Sequence, residues 1–279
     1  MGYQKRLSKA FQKAQVLPLY HNSRLVLMSD CHRGCGNSND NFLKNQHLFF
    51  HALSYYFARE YTYIELGDGD ELWENRNFSD ILEIHGNIFW LFELFHKQNR
   101  IYMLYGNHDM EKKYRSCPLC FCCQEALILK DCCTSHCFYL THGHQADTLN
   151  STFWKLSRFL VRYLWKPFES FGIPDPTSAA KNYSVKDTTE KRLEQWAKKQ
   201  NITLITGHTH RSVLSEDHPH YINTGSCVHP RCITCLEIAN NALTLVKWCM
   251  ESKPDGTLYV ARKTLTNAMP LQDFYSSAP

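Results

Sequence analysis

Five short apolar segments in this 279-residue chain each end in a cluster of polar residues. Their lengths and residue types predict buried β-strands. Stretches with helical periodicity separate the first three, at residues 41–60 and 79–97, which predicts parallel strands joined by helical crossovers. Polar groups that follow such strands meet at one edge of a sheet. The clusters are Asp30 with His32, Asp68, Asn107 to Asp109, His142, and His208 with His210.

Carboxylates and imidazoles dominate these clusters, which favours a site for metal ions. Asp30 and His32 are two positions apart, so an extended backbone would point both side chains to the same side. Gly67 allows close backbone approach, so the carboxylate of Asp68 could bridge two cations. Mixed nitrogen and oxygen ligands suit Mn²⁺, Fe²⁺ or Zn²⁺ better than Mg²⁺ or Ca²⁺. Two such ions about 3.5–4 Å apart are a common arrangement for displacement at phosphorus.

The five polar clusters, taken in order, resemble the calcineurin-like metallophosphoesterases. The resemblance spans residues 30–210, and family-like strands continue to about residue 248. It implies an α/β fold of four layers, in which a two-sheet β-sandwich is flanked by helices. The matching motifs are Asp-Cys-His at 30–32, Gly-Asp at 67–68, Gly-Asn-His-Asp at 106–109, His-Gly-His at 142–144 and Gly-His-Thr-His at 207–210.

The domain organisation follows from the same pattern. We expect a single domain over residues 1–279, with a helical cap inserted at about 146–200. The short strands after His210 predict a second, largely antiparallel sheet packed against the first.

The resemblance implies two metal ions that share one carboxylate and a bridging water or hydroxide. Mn²⁺ is the expected metal, with Fe²⁺ or Zn²⁺ as alternatives. Paired cations lower the pKa of such a water toward roughly 7, so the implied reaction is hydrolysis of a phosphoester or diphosphate bond. One ion would be held by Asp30, His32, Asp68 and His210, and the other by Asp68, Asn107, His142 and His208.

The resemblance also implies roles for the polar residues beside the ligands. His108 would lie next to the leaving group, oriented by Asp109, and Asn107, His108 and Arg33 are the candidates for contact with substrate. Glu71 matches a carboxylate that fixes the loop or the ligands around such centres. The remaining acids of this loop, Asp70 and Glu74, are expected to be solvated or paired with nearby bases.

Three features resemble the branch of UDP-2,3-diacylglucosamine pyrophosphatase-like enzymes, which cleave a nucleotide–lipid diphosphate beneath a helical cap. They are Leu-Gly-Asp-Gly-Asp-Glu-Leu-Trp-Glu at 66–74, the insertion, and the strand at 221–226. His108 departs from that branch, whose lipid enzymes usually carry arginine at this position. The predicted substrate is a small phosphorylated molecule, with nucleotide sugars and nucleotide lipids as candidates. The alternatives are a nuclease, a cyclic-nucleotide phosphodiesterase, or a non-catalytic scaffold with the same fold.

Net charge and hydropathy bear on the partners and the location expected for the protein. The net charge of +4 is modest and gives no reason to expect specific nucleic-acid binding. The sequence has neither a run of about 20 apolar residues nor a signal-peptide pattern, so the cytoplasm is the expected location. The basic and aromatic helix at about 150–170 fits core packing, a substrate clamp, or peripheral contact with the inner face of a membrane.

A cysteine-rich segment lies outside these motifs. Two close cysteine groups about a dozen residues apart resemble a structural zinc site, because thiolates prefer Zn²⁺. The alternative is a set of reduced thiols in a reducing cytosol. The segment runs from Cys117 to Cys137 and contains seven cysteines: Cys117, Cys120, Cys122, Cys123, Cys132, Cys133 and Cys137.

Overall fold

Two β-sheets pack face to face, and helices cover both outer faces. The computed structural model describes residues 2–37, 40–75, 77–113, 123–147, 151, 154–161 and 182–274. Buried apolar side chains form three clusters that fill the three spaces between these four layers. The predicted fold class is therefore confirmed.

Thirteen strands are described, most of them short and rich in buried β-branched, leucine and aromatic residues. In chain order they are β1 (Gln15–Leu19), β2 (Leu25–Met28), β3 (Thr62–Leu66), β4 (Ile101–Leu104), β5 (Cys123–Gln124), β6 (Ala126–Asp131), β7 (Cys137–Thr141), β8 (Thr203–Thr206), β9 (Tyr221–Asn223), β10 (Cys232–Ala239), β11 (Ala242–Ser252), β12 (Leu258–Thr264) and β13 (Met269–Pro270).

The larger sheet has the strand order β12-β11-β10-β2-β3-β4-β5, with β13 paired to β11. Strands β2 to β5 are parallel, and β10 to β13 extend them antiparallel. The smaller sheet has the order β1-β6-β7-β8-β9. The predicted second sheet of late strands is therefore wrong, because β10 joins β2 with Leu236 opposite Leu27. Pairing between segments so distant in sequence leaves no local pattern.

Three helices cover the outer face of the larger sheet: α2 (Gln46–Ala58), α3 (Phe78–Ile84) and α4 (Gly86–Lys97). The helical stretch predicted at 79–97 is divided at His85, whose ring packs inward and whose Nε2 lies 3.0 Å from the carboxylate of Asp40. Two further helices cover the smaller sheet: α1 (Tyr3–Phe11) and α6 (Tyr183–Gln200).

The predicted helical cap is described only in part. Helix α5 (Trp154–Leu160) and helix α6 fall within it, while residues 162–181 lie outside the described residues. The membrane contact assigned to residues 150–170 therefore stays a prediction. Within the described ranges, no helix combines the length and apolar character needed to cross a bilayer.

The zinc site predicted for the cysteine-rich segment stays a prediction, because three of its seven cysteines lie outside the described residues. Cys123 precedes β6, whereas Cys132, Cys133 and Cys137 lie in the hairpin after it. Strand β6 alone spans about 17 Å, so Cys123 and the hairpin cysteines cannot share one ion. Cys117, Cys120 and Cys122 lie outside the described residues.

Candidate metal centre

The carboxyl ends of five strands from both sheets meet at one edge of the sandwich. Strands β2, β3 and β4 lead into Asp30, Asp68 and Asn107, and strands β7 and β8 lead into His142 and His208. The sheets contact each other directly here, because Asp30 Oδ1 lies 3.9 Å from His142 Nε2. The convergence that the sequence predicted is present in the structure.

Five of the predicted ligands have backbone in the left-handed region. This conformation is uncommon for residues with a side chain and costs energy, so it persists where the surrounding structure enforces it. Here it turns each side chain away from the strand direction and toward the common edge. The φ angles are 54° at Asp30, 49° at His32, 50° at Asp68, 70° at His208 and 55° at His210.

A first group of donors consists of Asp30, His32 and His210. Asp30 Oδ1 lies 3.1 Å from His210 Nε2 and 4.0 Å from His32 Nε2. The other carboxylate oxygen of Asp30 accepts hydrogen bonds from the hydroxyl of Ser29 and the backbone N–H of His208. One oxygen of Asp30 is thus held by the protein, and the other faces the imidazoles.

A second group consists of Asp68, His142 and His208. The buried Asn107 precedes His108, whose backbone N–H donates to Asp68. His142 Nδ1 donates to the carbonyl of Leu66 at 2.8 Å, and its Nε2 faces the carboxylate of Asp68, 3.1 Å from Oδ2. The same Asp68 oxygen lies 3.9 Å from His32 Nε2 in the first group. Asp68 therefore stands between the two groups, as a shared carboxylate must.

The donor set fits divalent ions by a further criterion. Buried acceptors without a donor are costly and rare in folded proteins. Among the described residues, five predicted ligands each carry one buried side-chain atom without a hydrogen-bond partner. They are Asp30 Oδ1, His32 Nε2, Asn107 Oδ1, His142 Nε2 and His208 Nε2.

The electrostatics favour ionised carboxylates. Burial alone would raise the pKa of Asp68, but the facing imidazoles of His142, His108 and His32 hold it well below its usual range. Burial likewise opposes ionisation of Asp30, and its contacts with His210 and His142 outweigh that effect and lower the pKa. Two buried carboxylates and several imidazoles are the ligand types that bind Mn²⁺, Fe²⁺ and Zn²⁺.

Glu71 orients two imidazoles at once. Its carboxylate oxygens lie 2.8 Å from His32 Nδ1 and 2.8 Å from His108 Nδ1. The ring of Trp73 stacks on His108 with centroids 4.2 Å apart. Burial would lower the pKa of His108, but the carboxylates of Glu71 and Asp68 raise it to about 10. The sequence marked Glu71 by its place three residues after Asp68, without indicating that it serves both rings.

The prediction that Asp109 orients His108 is wrong. Its carboxylate accepts backbone N–H groups from Gly106, Asp68 and Gly69, and it pairs with Lys112 at 2.7 Å. Asp109 thus fixes the loop that carries Asp68.

The prediction that Arg33 contacts substrate is also wrong. Its side chain is fully buried, donates twice to Glu65 and once to Asp70, and lies against Phe89 and Phe92. Asp70, expected to be solvated or paired, is buried between Arg33 and Lys112.

One further acid near the centre carried no recognised sequence signal. Asp147 is buried, and its Oδ2 lies 3.8 Å from His208 Nε2. It follows His142 by five residues in the same segment, so its position after the fourth strand was the available clue.

The sequence profile of the calcineurin-like phosphoesterases matches residues 23–212, a range that contains every residue of both donor groups. The chain belongs to the calcineurin-like phosphoesterase family. Membership implies divalent metal ions, and the two donor groups of this phosphoesterase are clusters that can hold them. No curated protein matches the chain.

The solved structures found to be similar to this phosphoesterase have low sequence identity and TM-scores below 0.5. A predicted phosphoesterase from Streptococcus pneumoniae TIGR4 is 15% identical with a TM-score of 0.37, covering 87% of this chain and 97% of its own. Vacuolar Protein Sorting 29 from Cryptosporidium parvum is 15% identical with a TM-score of 0.42, covering 88% and 98%. Vps29 from Chaetomium thermophilum is 14% identical with a TM-score of 0.44, covering 90% and 99%.

Proposed function

We propose that this phosphoesterase is a hydrolase with two divalent ions that cleaves a phosphoester or diphosphate bond in a small substrate. The observation that carries the proposal is the arrangement around Asp68, whose Oδ2 lies 3.1 Å from His142 Nε2 and 3.9 Å from His32 Nε2. A carboxylate placed between two imidazole-rich groups is the geometry that a shared ligand requires.

In this proposal the first donor group and Asp68 hold one ion, and the second donor group and Asn107 hold the other. When bound, two such ions supply Lewis acidity and lower the pKa of water toward roughly 7. The chain contributes fixed ligand geometry. His142 is oriented by the carbonyl of Leu66 and His32 by Glu71, and such outer partners set the tautomer and basicity of ligating imidazoles. Mn²⁺ is the proposed metal, with Fe²⁺ or Zn²⁺ as alternatives.

His108 has the position and restraint for a role at the leaving group. Glu71 holds its Nδ1 and Trp73 covers one face, so Nε2 is the atom that remains to hydrogen-bond a substrate oxygen. A donor at that place stabilises the negative charge that grows on the phosphoryl or leaving oxygen. Asn107, adjacent in sequence, offers an amide oxygen toward the second ion.

Nucleotide sugars and nucleotide lipids are the proposed substrate class. The support is the resemblance of residues 66–74 and 221–226 to the branch that cleaves nucleotide–lipid diphosphates. His108 favours a substrate other than the lipid of that branch, because those enzymes usually carry arginine at this position. The alternative of a non-catalytic scaffold would be expected to lack ligands, whereas this chain carries a residue able to bind metal at every predicted position.

A substrate screen tests the proposal. The full-length protein, supplemented with Mn²⁺, is assayed against bis-p-nitrophenyl phosphate, mononucleotides, cyclic dinucleotides, nucleotide sugars, nucleotide lipids and single- and double-stranded DNA. Metal-dependent cleavage of the artificial diester and of a nucleotide diphosphate supports it. Cleavage of DNA with no activity on small substrates would favour a nuclease. No hydrolysis with any substrate or metal would favour the scaffold.

A further inference from the structure

A network of five charged side chains, each at most 7% exposed, lies beneath the proposed metal site and takes no part in the proposed chemistry. It alternates acid and base: Glu65, Arg33, Asp70, Lys112 and Asp109. Burying so many charges is costly unless each is paired with good geometry. Every link here is short, between 2.6 and 2.8 Å.

Arg33 joins two acids of this network, Glu65 and Asp70. Its Nη1 and Nη2 donate to the two oxygens of Glu65 on β3 at 2.8 and 2.9 Å, and its Nε donates to Asp70 at 2.6 Å. This planar, forked pairing is specific to arginine and cannot be reproduced by a lysine. A methyl group added at Gly69 would overlap the carboxylate of Glu65, so the loop backbone rests directly on the ion pair.

The two segments joined by Arg33 carry ligands of both ions. His32 donates its backbone N–H to the carbonyl of Asp68 at 2.9 Å, and Arg33 donates to Gly69 at 3.0 Å. Glu71 donates back to the carbonyl of Arg33 at 2.9 Å. A shift of one segment would therefore move His32 relative to Asp68, and would also move Glu71, which orients His32 and His108.

We propose that Arg33 is a positioning residue for the metal centre: its guanidinium clamps the loop of Asp68 and Glu71 against the segment of Asp30 and His32. This inference rests on the proposed function, because it takes both segments to be metal-binding. It replaces the substrate contact predicted from sequence.

Removing Arg33 has two effects on cation binding, and they have opposite signs, so a measured change in affinity shows which one dominates. Loss of one buried positive charge leaves Glu65 without its ion pair and Asp70 paired with Lys112 alone, and would strengthen cation binding through simple electrostatics. Loss of the clamp would weaken it, because outer partners of ligating residues typically contribute 10–100-fold to metal affinity. The double substitution Arg33→Met with Glu65→Gln removes one charge of each sign, so it keeps the net charge and deletes only the clamp.

The experiment measures Mn²⁺ binding to the full-length protein by chelator competition and by EPR, where two ions sharing a carboxylate give an exchange-coupled signal. We expect the double variant to bind Mn²⁺ at least about tenfold more weakly, with the coupled signal reduced. Arg33→Lys keeps the charge but loses the forked pairing, so its Mn²⁺ affinity should lie between that of the double variant and that of the wild type. Arg100→Met is the matched control, since Arg100 caps the carbonyls of Tyr61 and Phe57 away from the centre.

Each outcome decides between the two proposals. Wild-type protein that binds two ions together with a double variant of unchanged affinity and signal overturns the positioning role alone. Wild-type protein without bound ions overturns the proposed function and this inference with it. If the double variant fails to fold, Arg33→Lys is used in its place. A Mn²⁺ affinity and a coupled signal equal to those of the wild type would then overturn the positioning role of Arg33. If Arg100→Met weakens Mn²⁺ binding as much as the double variant does, the loss reflects a general effect on stability. That result would also reject the positioning role of Arg33.

Discussion

Nε2 of His142 lies 3.1 Å from Oδ2 of Asp68, while the other ring nitrogen is held by the carbonyl of Leu66. Burial would lower the pKa of His142, but the facing carboxylates of Asp68 and Asp30 raise it to about 9. Without a metal ion the ring is therefore protonated and donates from Nε2 to Asp68. A metal ion that binds both side chains displaces that proton, so the folding of this edge is coupled to metal binding and to proton release.

Metal removal is expected to lower the stability of the protein. A ligand that binds only the native state at 100 times its dissociation constant contributes about 2.7 kcal/mol. Thermal unfolding should show a lower Tm after treatment with a chelator and recovery when Mn²⁺ is restored. Asp68→Asn serves as the control, because its Tm should respond to Mn²⁺ far less. An identical Tm with and without ions would contradict the coupling.

Asp68→Asn is expected to reduce hydrolysis by about a thousandfold or more. An amide keeps one oxygen but loses the charge and the second equivalent oxygen that a bridge between two cations needs. The measurement is kcat/KM on bis-p-nitrophenyl phosphate at saturating Mn²⁺. Asp255→Asn in the exposed turn before β12 should leave the rate unchanged. A variant at position 68 that keeps more than about a tenth of the activity would reject the shared-ligand role.

Glu71→Gln should lower activity and metal affinity together. Glutamine has one acceptor oxygen, so it can hold His32 or His108 through Nδ1–H but not both. We expect about a 10–100-fold loss in Mn²⁺ affinity, measured by calorimetric titration, and a parallel fall in kcat. Asp80→Asn on α3 is the control, since Asp80 hydrogen-bonds only to nearby Asn77 and Ser79 among the described residues. A loss in kcat with unchanged affinity would limit the role of Glu71 to His108.

Phe92→Ala tests the packing of helices on the larger sheet. Phe92 is fully buried on α4, and its ring stacks on Tyr63 of β3 with centroids 5.3 Å apart. Truncating such a side chain costs about 3–5 kcal/mol. Urea unfolding of the metal-free protein measures this cost without the contribution of ions. Trp90→Ala on the same helix is the control, because Trp90 is 55% exposed and should change stability little. Equal effects at the two positions would contradict the layer assignment.

The sequence predicted well where the strands end, because the signal for a strand end lies in adjacent residues. A polar cluster after an apolar run marks a carboxyl end, and parallel strands bring those ends together. That reasoning located Asp30, Asp68 and His142 at one edge. It did not require any knowledge of which strands are neighbours within a sheet.

The predictions that were wrong concern partners far apart in the chain. The pairing of β10 with β2, the ion pair between Arg33 and Glu65, and the hydrogen bond between Glu71 and His108 join residues that share no sequence pattern. Arginine next to a ligand has the same sequence signature whether it faces substrate or the core. The full burial of Arg33, its ion pair with Glu65 and its packing against Phe89 and Phe92 separate the two.

The metal content of full-length protein purified without chelator tests the central claim most directly. Elemental analysis should find about two equivalents of transition metal per chain, falling in Asp68→Asn, together with activity stimulated by Mn²⁺. Metal far below one equivalent in the wild type, even after incubation with Mn²⁺, Fe²⁺ or Zn²⁺, would contradict a two-ion centre.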